Sequence, residues 1–454
     1  MSNWKVMKLS EVATIVGGGT PSSSKSEYFE NGNIPWITPK DLSGYNKRYI
    51  SKGERNITEL GLKNSSAKLL PKNTVLLTSR APIGYVAIAS NEISTNQGFK
   101  SLVLNDGHIP EFFYYLLKNN VHILESRATG STFKEISGQI LKDTELSIPT
   151  PDIQQKIVDI LSPLDDKIEL NTQINQTLEQ IAQALFKSWF VDFDPVRAKV
   201  QALSDGLSLE QAELAAMQAI SGKTAEELTA LSQTQPDRYA ELAETAKAFP
   251  CEMVEVDGVK VPKGWEVKEL GSLMTIKRGG SPRPIKDFIS DKGLNWVKIS
   301  DATAEDNPFL FSTKEYIKSE GLSKTVLLKK GSLILSNSAT PGLPRFLELD
   351  ACIHDGWLYF SDIKSLTQEY LYFFFLNIRN DLVAQGNGSV FTNLKTDIVK
   401  AQKAIVPDER AIYYFDKQVK SIMNLIKYNT ANLISLKETR DLLLPRLLNG
   451  ELNG

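Results

Sequence analysis

The sequence is written twice. Trp4-Lys-Val-Met-Lys-Leu9 returns as Trp265-Glu-Val-Lys-Glu-Leu270, and Gly18-Gly-Thr-Pro21 as Gly279-Gly-Ser-Pro282, both at a shift of 261 residues. Ile34-Pro-Trp-Ile37 matches Leu294-Asn-Trp-Val297 at a shift of 260. From there the shift is 258: Leu69-Leu70 pairs with Leu327-Leu328, Asn96-Gln-Gly-Phe99 with His354-Asp-Gly-Trp357, Gly130-Ser131 with Gly388-Ser389, and Ile148-Pro149 with Val406-Pro407. So long a period excludes a solenoid of short repeats and implies tandem domains. A repeat of about 190 residues is long enough to bury its own core. The 454 residues therefore accommodate two modules and an insert.

Composition excludes several classes. With 41% apolar and 23% charged residues the chain is ordinary globular material. No apolar run approaches the ~20 residues of a membrane span, and no apolar stretch follows Met1-Ser-Asn-Trp-Lys as in a signal peptide. Two cysteines, Cys251 and Cys352, and three scattered histidines, His108, His122 and His354, assemble no zinc-ligand spacing. A bacterial cytoplasmic setting without a metal is the expectation. The net charge of −2 hides regional contrast. Residues 1–150 carry 17 Lys and Arg against 13 Asp and Glu, residues 263–407 carry 19 against 16, and residues 194–262 carry 6 against 12. Phosphate binding depends on local basic surface, so the near-neutral total does not exclude DNA.

Each repeat begins with short β-like runs such as Thr74-Val-Leu-Leu-Thr78 and Ser332-Leu-Ile-Leu-Ser336, broken by Gly, Pro and Asn turns. Aromatic helical stretches follow at 110–117 and 369–376, with core packing as their expected role and base stacking as the alternative. The fold class is mixed α/β: two globular domains, 1–150 and 263–407, each followed by a long helix, 151–193 and 408–454. In the first helix Ile157, Leu161, Leu164, Ile168, Asn171, Asn175, Leu178, Ala182, Leu185 and Trp189 alternate steps of four and three, a coiled-coil seam. Adding 258 reproduces most of the seam, from Phe415 to Leu447. The two helices are expected to pack on each other; the alternative is that each packs only on its own domain. Asn171 and Asn429 fall on the seam and fit the role of register-fixing residues. Residues 194–262 form an acidic, Ala- and Glu-rich segment of high helix propensity, a helical insert and linker.

No catalytic motif survives inspection. Ser221-Gly-Lys-Thr224 resembles the end of a P-loop, but Met217 stands where the first glycine is needed and the upstream segment is helical rather than a strand. Gly17-Gly-Gly19 lacks dinucleotide spacing, and its counterpart Gly279-Gly280 runs into Ser-Pro, as a turn does. Asn307-Pro308-Phe309 lacks the second proline of an adenine methyltransferase tetrapeptide. No Ser-His-Asp set or acid pair recurs in both copies.

The order Gly-Gly-Thr-Pro, Ile-Pro-Trp-Ile, the helix start Pro151 to Gln155, the string Phe186-Lys-Ser-Trp-Phe-Val-Asp-Phe-Asp-Pro-Val-Arg197 and a terminal Leu-Leu-Asn-Gly-Glu-Leu resembles the specificity subunits of type I restriction-modification systems over nearly the whole chain. The second copy departs from that layout at Pro407-Asp-Glu-Arg410, which lacks the Gln pair. The resemblance implies two target recognition domains, each reading one half of a split double-stranded DNA target, and two antiparallel helices that separate them and dock modification subunits, two in number. It also implies a non-catalytic role within a multisubunit restriction endonuclease and adenine-specific DNA methyltransferase. It further implies no cofactor in this chain; modification subunits would hold S-adenosylmethionine, and restriction subunits ATP and Mg. The seam from 157 to 189 covers 33 residues, about 50 Å at 1.5 Å per residue, against a DNA turn of about 34 Å.

Base and phosphate readout needs Arg, Lys, Asn, Gln, Ser or Thr on loops. The first domain offers Thr20, Ser22, Lys25, Lys40, Arg80, Gln97, Ser131, Thr132 and Lys134. The second offers Arg278, Ser281, Arg283, Lys298, Asn337, Arg345, His354, Ser389 and Asn393. Arg80, Arg283 and Arg345 stand beside Pro or Gly turns that could aim them. Phe186, Phe190 and Phe193 are candidates for contact with a modification subunit, whereas Trp189 lies on the seam. Two rival readings are a fused DNA methyltransferase fragment, for which the repeats leave no room, and a protein-protein adaptor.

Overall fold

The computed structural model describes residues 4–130, 134–256, 258–304, 307–386 and 393–451, so Ser131, Thr132 and Ser389 lie outside the described residues. The chain divides into two compact units, Met1–Thr172 with Asn432–Gly454, and Gln173–Ala431.

In the first unit, strands Ala13–Gly17, Lys100–Leu104, Val75–Ser79, Ile83–Ala89 and Tyr49–Ile50 form a sheet in that order, antiparallel except at the Tyr49–Ile50 edge. Alternation along the central strand explains why it is buried throughout. Val75 and Leu77 face a core built with the helix Pro110–Asn119, while Leu76 faces a second core with Ile37, Leu42, Ile93 and Phe99. Residues Phe112 to Leu117 are buried all round, which gives the aromatic stretch its core role. A smaller sheet of Arg55–Ile57, Ile34–Ile37 and Ser94–Thr95 and a ribbon of Trp4–Lys8 with Glu145–Pro149 complete the domain.

The second unit repeats the plan. Thr275–Arg278, Trp357–Ser361, Leu333–Ser336, Pro344–Leu347 and Phe309–Leu310 form a sheet with the corresponding strand order. Leu333 and Leu335 face the helix Gln368–Asn377, and Ile334 faces the other way. Its smaller sheet gains two edge strands, Ile289–Ser290 and Val326–Leu328. The architecture is mixed α/β in both copies.

The long helices span Pro151–Phe190 and Glu409–Leu448, 40 residues each, and their ends match at the 258-residue shift. Each unit holds the start of one and the end of the other, running antiparallel. In the first unit Ile157, Leu161, Leu447 and Leu448 share a core with Phe112 and Leu116. In the second, Phe186 and Trp189 pack on Phe415, and Asn429 donates to Asn175 Oδ1 at 3.0 Å. Asn175 in turn donates to Thr430 Oγ1 at 3.1 Å. The polar seam contact of Asn429 is thus with Asn175, and Asn171 is separately buried in the first unit.

Between the repeats lie four helices, Asp194–Ser204, Leu209–Ser221, Ala225–Thr234 and Pro236–Lys247, and a hairpin of Met253–Val256 with Val259–Pro262. Ser221 to Thr224 is a helix junction: Gly222 ends one helix at φ +67°, and Thr224 caps the next by accepting from the Glu227 amide. Among the described residues no helix is long and apolar enough to cross a membrane.

The expectation for Phe186, Phe190 and Phe193 is corrected here. They are only 2%, 2% and 6% exposed. Phe190 packs on Trp265, Tyr370 and Phe415, Phe193 packs on Trp265, and Phe249 closes over Trp189. These lids come from the insert, the second domain and the second long helix, and they leave the three phenylalanines no surface for a partner.

Polar contacts fasten the first domain to the first helix segment in its unit, and that segment to the second. Arg48 donates to Tyr115 Oη at 3.1 Å and to Asp166 Oδ1 at 2.7 Å. Tyr115 donates to Asp165 Oδ2 at 2.7 Å, and Arg440 to Asp165 Oδ1 at 2.8 Å. Burial, then the Asp165 carboxylate, keep the Tyr115 hydroxyl protonated far above the usual tyrosine range. Tyr115→Phe keeps the ring packing but leaves Asp165 and Arg48 each short of a partner. Chemical unfolding should show the first unit destabilised by about 1–3 kcal/mol; an unchanged unfolding midpoint would mean the network contributes nothing.

Candidate nucleic-acid interface

The recurring Gly-Gly pair sits where three loop segments meet, and the backbone bonds there are the same in both units. In the first, the Gly18 amide donates to Phe99 O at 3.3 Å and Gly19 to Thr95 O at 2.9 Å. Ser79 donates to Gly98 O at 2.7 Å and Ile136 to Ser79 O at 3.0 Å. In the second, Gly279 donates to Trp357 O at 2.9 Å and Gly280 to Ile353 O at 3.2 Å. Asn337 then donates to Gly356 O at 2.8 Å and Leu394 to Asn337 O at 2.7 Å. Glycine is required by the approach of the chains: a Cβ on Gly18 would lie 2.0 Å from Asn96 O, and one on Gly279 would lie 2.4 Å from His354 O. The turn after Ser79 and Asn337 also matches, with Ala81 and Ala339 both left-handed at φ +48° and +57°.

Side chains mounted on this frame are the candidates for contact. In the first unit Thr20 donates to Gln97 Oε1, and both are exposed. Arg80 and Lys100 pair with Glu135 at 3.4 and 3.7 Å, beside the exposed Lys134. In the second unit the hub is Asp355. Ser281 donates to its Oδ1 at 2.6 Å, Arg283 lies 3.5 Å from its Oδ2, and its carbonyl accepts from Arg278 Nε and from Asn337 Nδ2 at 3.3 Å. The exposed Asn393 adjoins Leu394 on the same frame. Burial acts against the Asp355 carboxylate, but the Ser281 hydroxyl, its own backbone amide, His354 and Arg278 together hold its pKa below the usual range.

Other candidates have local partners. Ser22 pairs with Ser24 at 2.9 Å, and Lys25 donates to Tyr28 Oη at 3.1 Å. Lys40 pairs with Glu54 at 2.7 Å and Lys298 with Glu315 at 2.5 Å, acids that stand at different register positions in the two copies. Arg345 requires a correction. It lies in the strand Pro344–Leu347, is 6% exposed, and donates to Ala302 O at 3.2 Å, so it is an internal tie rather than a loop reader. Asn337 is also buried. His354 accepts the Gly356 amide on Nδ1 at 2.6 Å, as Asn96 Oδ1 accepts the Gly98 amide at 2.9 Å.

Sequence reasoning missed Asp355 and Glu135, because acids were not sought among phosphate-facing types. The available signal was the alignment itself, which sets Asp355 opposite Gln97.

The family described as the type I restriction modification DNA specificity domain matches residues 1–180 and 262–437. The chain is 42% identical over 485 residues to the type I restriction enzyme HindI specificity subunit of Haemophilus influenzae, with all of both chains covered. It is 32% identical over 461 residues to the MjaIX specificity subunit of Methanocaldococcus jannaschii, covering 99% of this chain and 94% of that protein. The crystal structure of a type I restriction-modification system S subunit from M. genitalium shares the fold, with a TM-score of 0.57, 17% identity, and 98% and 96% of the two chains covered.

Gly18→Ala should disrupt the first frame and cost about 1–3 kcal/mol by overpacking. Gly138→Ala, whose added Cβ meets nothing closer than 3.9 Å, should melt like the parent; equal melting of the two variants would show that the frame tolerates a side chain. Burial depresses the His354 pKa, with Asp355 opposing and Lys298 and Arg278 reinforcing. The folded value lies below the unfolded one, so the stability contributed by the neutral ring is present above about pH 6.5 and lost as pH falls. His354→Gln should flatten the acid limb of the second unit's unfolding curve, and an unaltered limb would place that titration elsewhere.

Proposed function

Because the chain belongs to the family of type I restriction-modification specificity subunits, we propose that its two repeats read the two halves of one asymmetric bipartite target in double-stranded DNA. The chain chooses the site and does no chemistry. The observation that carries the reading is the shared backbone frame with unlike side chains: Thr20, Gln97, Arg80 and Lys134 on one copy, and Ser281, Asp355, Arg283 and Arg278 on the other. Hydroxyl, amide and guanidinium groups on loops are the types that reach base edges and phosphates. Identical frames with different tips suit half-sites of different sequence.

In this reading the two helices fix the spacer between the half-sites. A 40-residue helix is about 60 Å long at 1.5 Å per residue, longer than a DNA turn of about 34 Å. Two modification subunits dock on the helices and bring S-adenosylmethionine for adenine methylation, and restriction subunits bring ATP and Mg for translocation and cleavage, in the bacterial cytoplasm. Since Phe186, Phe190 and Phe193 are internal, the docking surface consists of outward helix positions. Leu170 and Tyr428, at equivalent places in the repeat, are both exposed.

The test is selection from a randomised duplex pool by the chain assembled with its modification subunits. One bipartite sequence with a fixed gap should be enriched; no enrichment in that complex would favour a protein adaptor. Arg80→Ala and Arg283→Ala should each weaken discrimination at one half-site by about 1–3 kcal/mol while the complex still assembles. Unchanged discrimination removes that residue from the interface.

A further inference from the structure

Residues 97 and 355 occupy the same place in the two frames, one residue after the turn-capping Asn96 and His354 and one before Gly98 and Gly356. Resting on the reading of the chain as a DNA specificity subunit, we propose that this position is the base-reading switch between the repeats: Gln97 reads adenine in one half-site and Asp355 reads cytosine in the other.

Elimination points to this position. The side chains at 96 and 354 are both spent on capping their own turn. Those at 79 and 337 are buried. Lys40 and Lys298 are the same residue type at equivalent places, each held by a carboxylate, so they supply no difference in readout. At 97 and 355 the surroundings are equivalent and the chemistry differs. Each side chain is braced by a hydroxyl at the same place in the Gly-Gly loop, Thr20 on Gln97 Oε1 and Ser281 on Asp355 Oδ1 at 2.6 Å. Bracing of this kind removes rotamer freedom before binding and is what a reading group needs.

The two groups present opposite hydrogen-bonding faces. A glutamine amide carries both donor and acceptor and matches adenine N7 and N6 together, whereas an ionised carboxylate only accepts and matches the cytosine N4 amine. Among the described residues no bond engages Gln97 Nε2. Among the described residues Asp355 Oδ2 receives only the 3.5 Å contact from Arg283, and its side chain is 42% exposed. A carboxylate facing a polyanion is tolerable only where cations offset it, and Arg278 and Arg283 both meet this residue.

The experiment selects bound duplexes from a randomised pool using the assembled complex carrying Gln97→Asp, the isosteric Gln97→Glu, Asp355→Gln or Asp355→Asn, each checked for parental melting. Gln97→Asp and Gln97→Glu should each move one base of the first half-site from adenine to cytosine by on the order of tenfold or more, leaving the second half-site as it was. Asp355→Gln should move one base of the second half-site from cytosine to adenine, and Asp355→Asn should lose the cytosine preference there. Retained binding with an unchanged selected sequence in both Gln97 variants and Asp355→Gln overturns the switch. If the parent complex itself selects no bipartite sequence, the DNA-reading function fails first; a selective parent with unresponsive variants sinks the switch alone.

Discussion

Each unit is completed by the end of a helix that begins elsewhere, and the rest of the structure depends on that exchange. Leu447 and Leu448, in the last turn of the second long helix, are buried in a core otherwise assembled from the first repeat. Phe186, Trp189 and Phe190, at the end of the first helix, are buried in the core of the second. Fully burying one such side chain is worth about 1.5–3 kcal/mol, so the helix termini act as structural members of domains far from them in sequence. The 258-residue repeat makes the arrangement reciprocal: what one helix does at its end, the other does at its own. A helix whose two ends serve two cores is held at both.

Polar contacts add direction to this apolar fastening. Hydrophobic burial alone would tolerate a helix that slides by a turn, because leucines recur along the seam. Arg440 on Asp165, Asp165 on Tyr115, and Asn429 on Asn175 permit one register, since a slip would leave buried donors and acceptors unpaired. The Arg48 guanidinium ties the domain's sheet to the same helix through Asp166 and the Ser162 carbonyl. Burial is the largest influence on Arg48 and favours the neutral form, yet Tyr115, Asp166 and Tyr49 outweigh it and keep the guanidinium charged.

The repeat, the mixed α/β class and the coiled-coil seam were legible because each leaves a signal within a few residues or at a constant shift. The aromatic core around Phe186, Phe190 and Phe193 was not. Four aromatics in eight residues look like surplus apolar surface until Phe249, Trp265 and Tyr370 arrive from distant segments to cover them. Arg345 misled for a local reason: Pro-Gly-Leu-Pro before it suggests a turn, but Pro344 opens a strand and carries the arginine inward with it. Asn171 and Asn429 were read as register residues, but neighbouring seam positions 171 and 175 both hold Asn, and only packing shows that Asn175 is the one bonded to Asn429. The site was half legible. Thr20, Gln97, Ser281 and Arg283 stand on the frame, whereas the acid that organises the second copy is of a residue type that a search for phosphate partners passes over.

That half-legibility follows from how the frame is built. Its four repeated bonds run from backbone amides to backbone carbonyls, so the side chains at 97 and 355 can change without loosening it. The glycines cannot change, because the backbone of the opposing loop stands where a Cβ would go. Substitution at a solvent-facing tip usually costs within about 0.5 kcal/mol, whereas a clash inside the frame costs several times that. A duplicated domain under those two costs keeps Gly-Gly and its turn in both copies and lets the tips diverge. The landmarks that made the repeat visible in the sequence are therefore the parts that hold the proposed reading residues, and the positions where the repeat fails to match are the places to look for what is read.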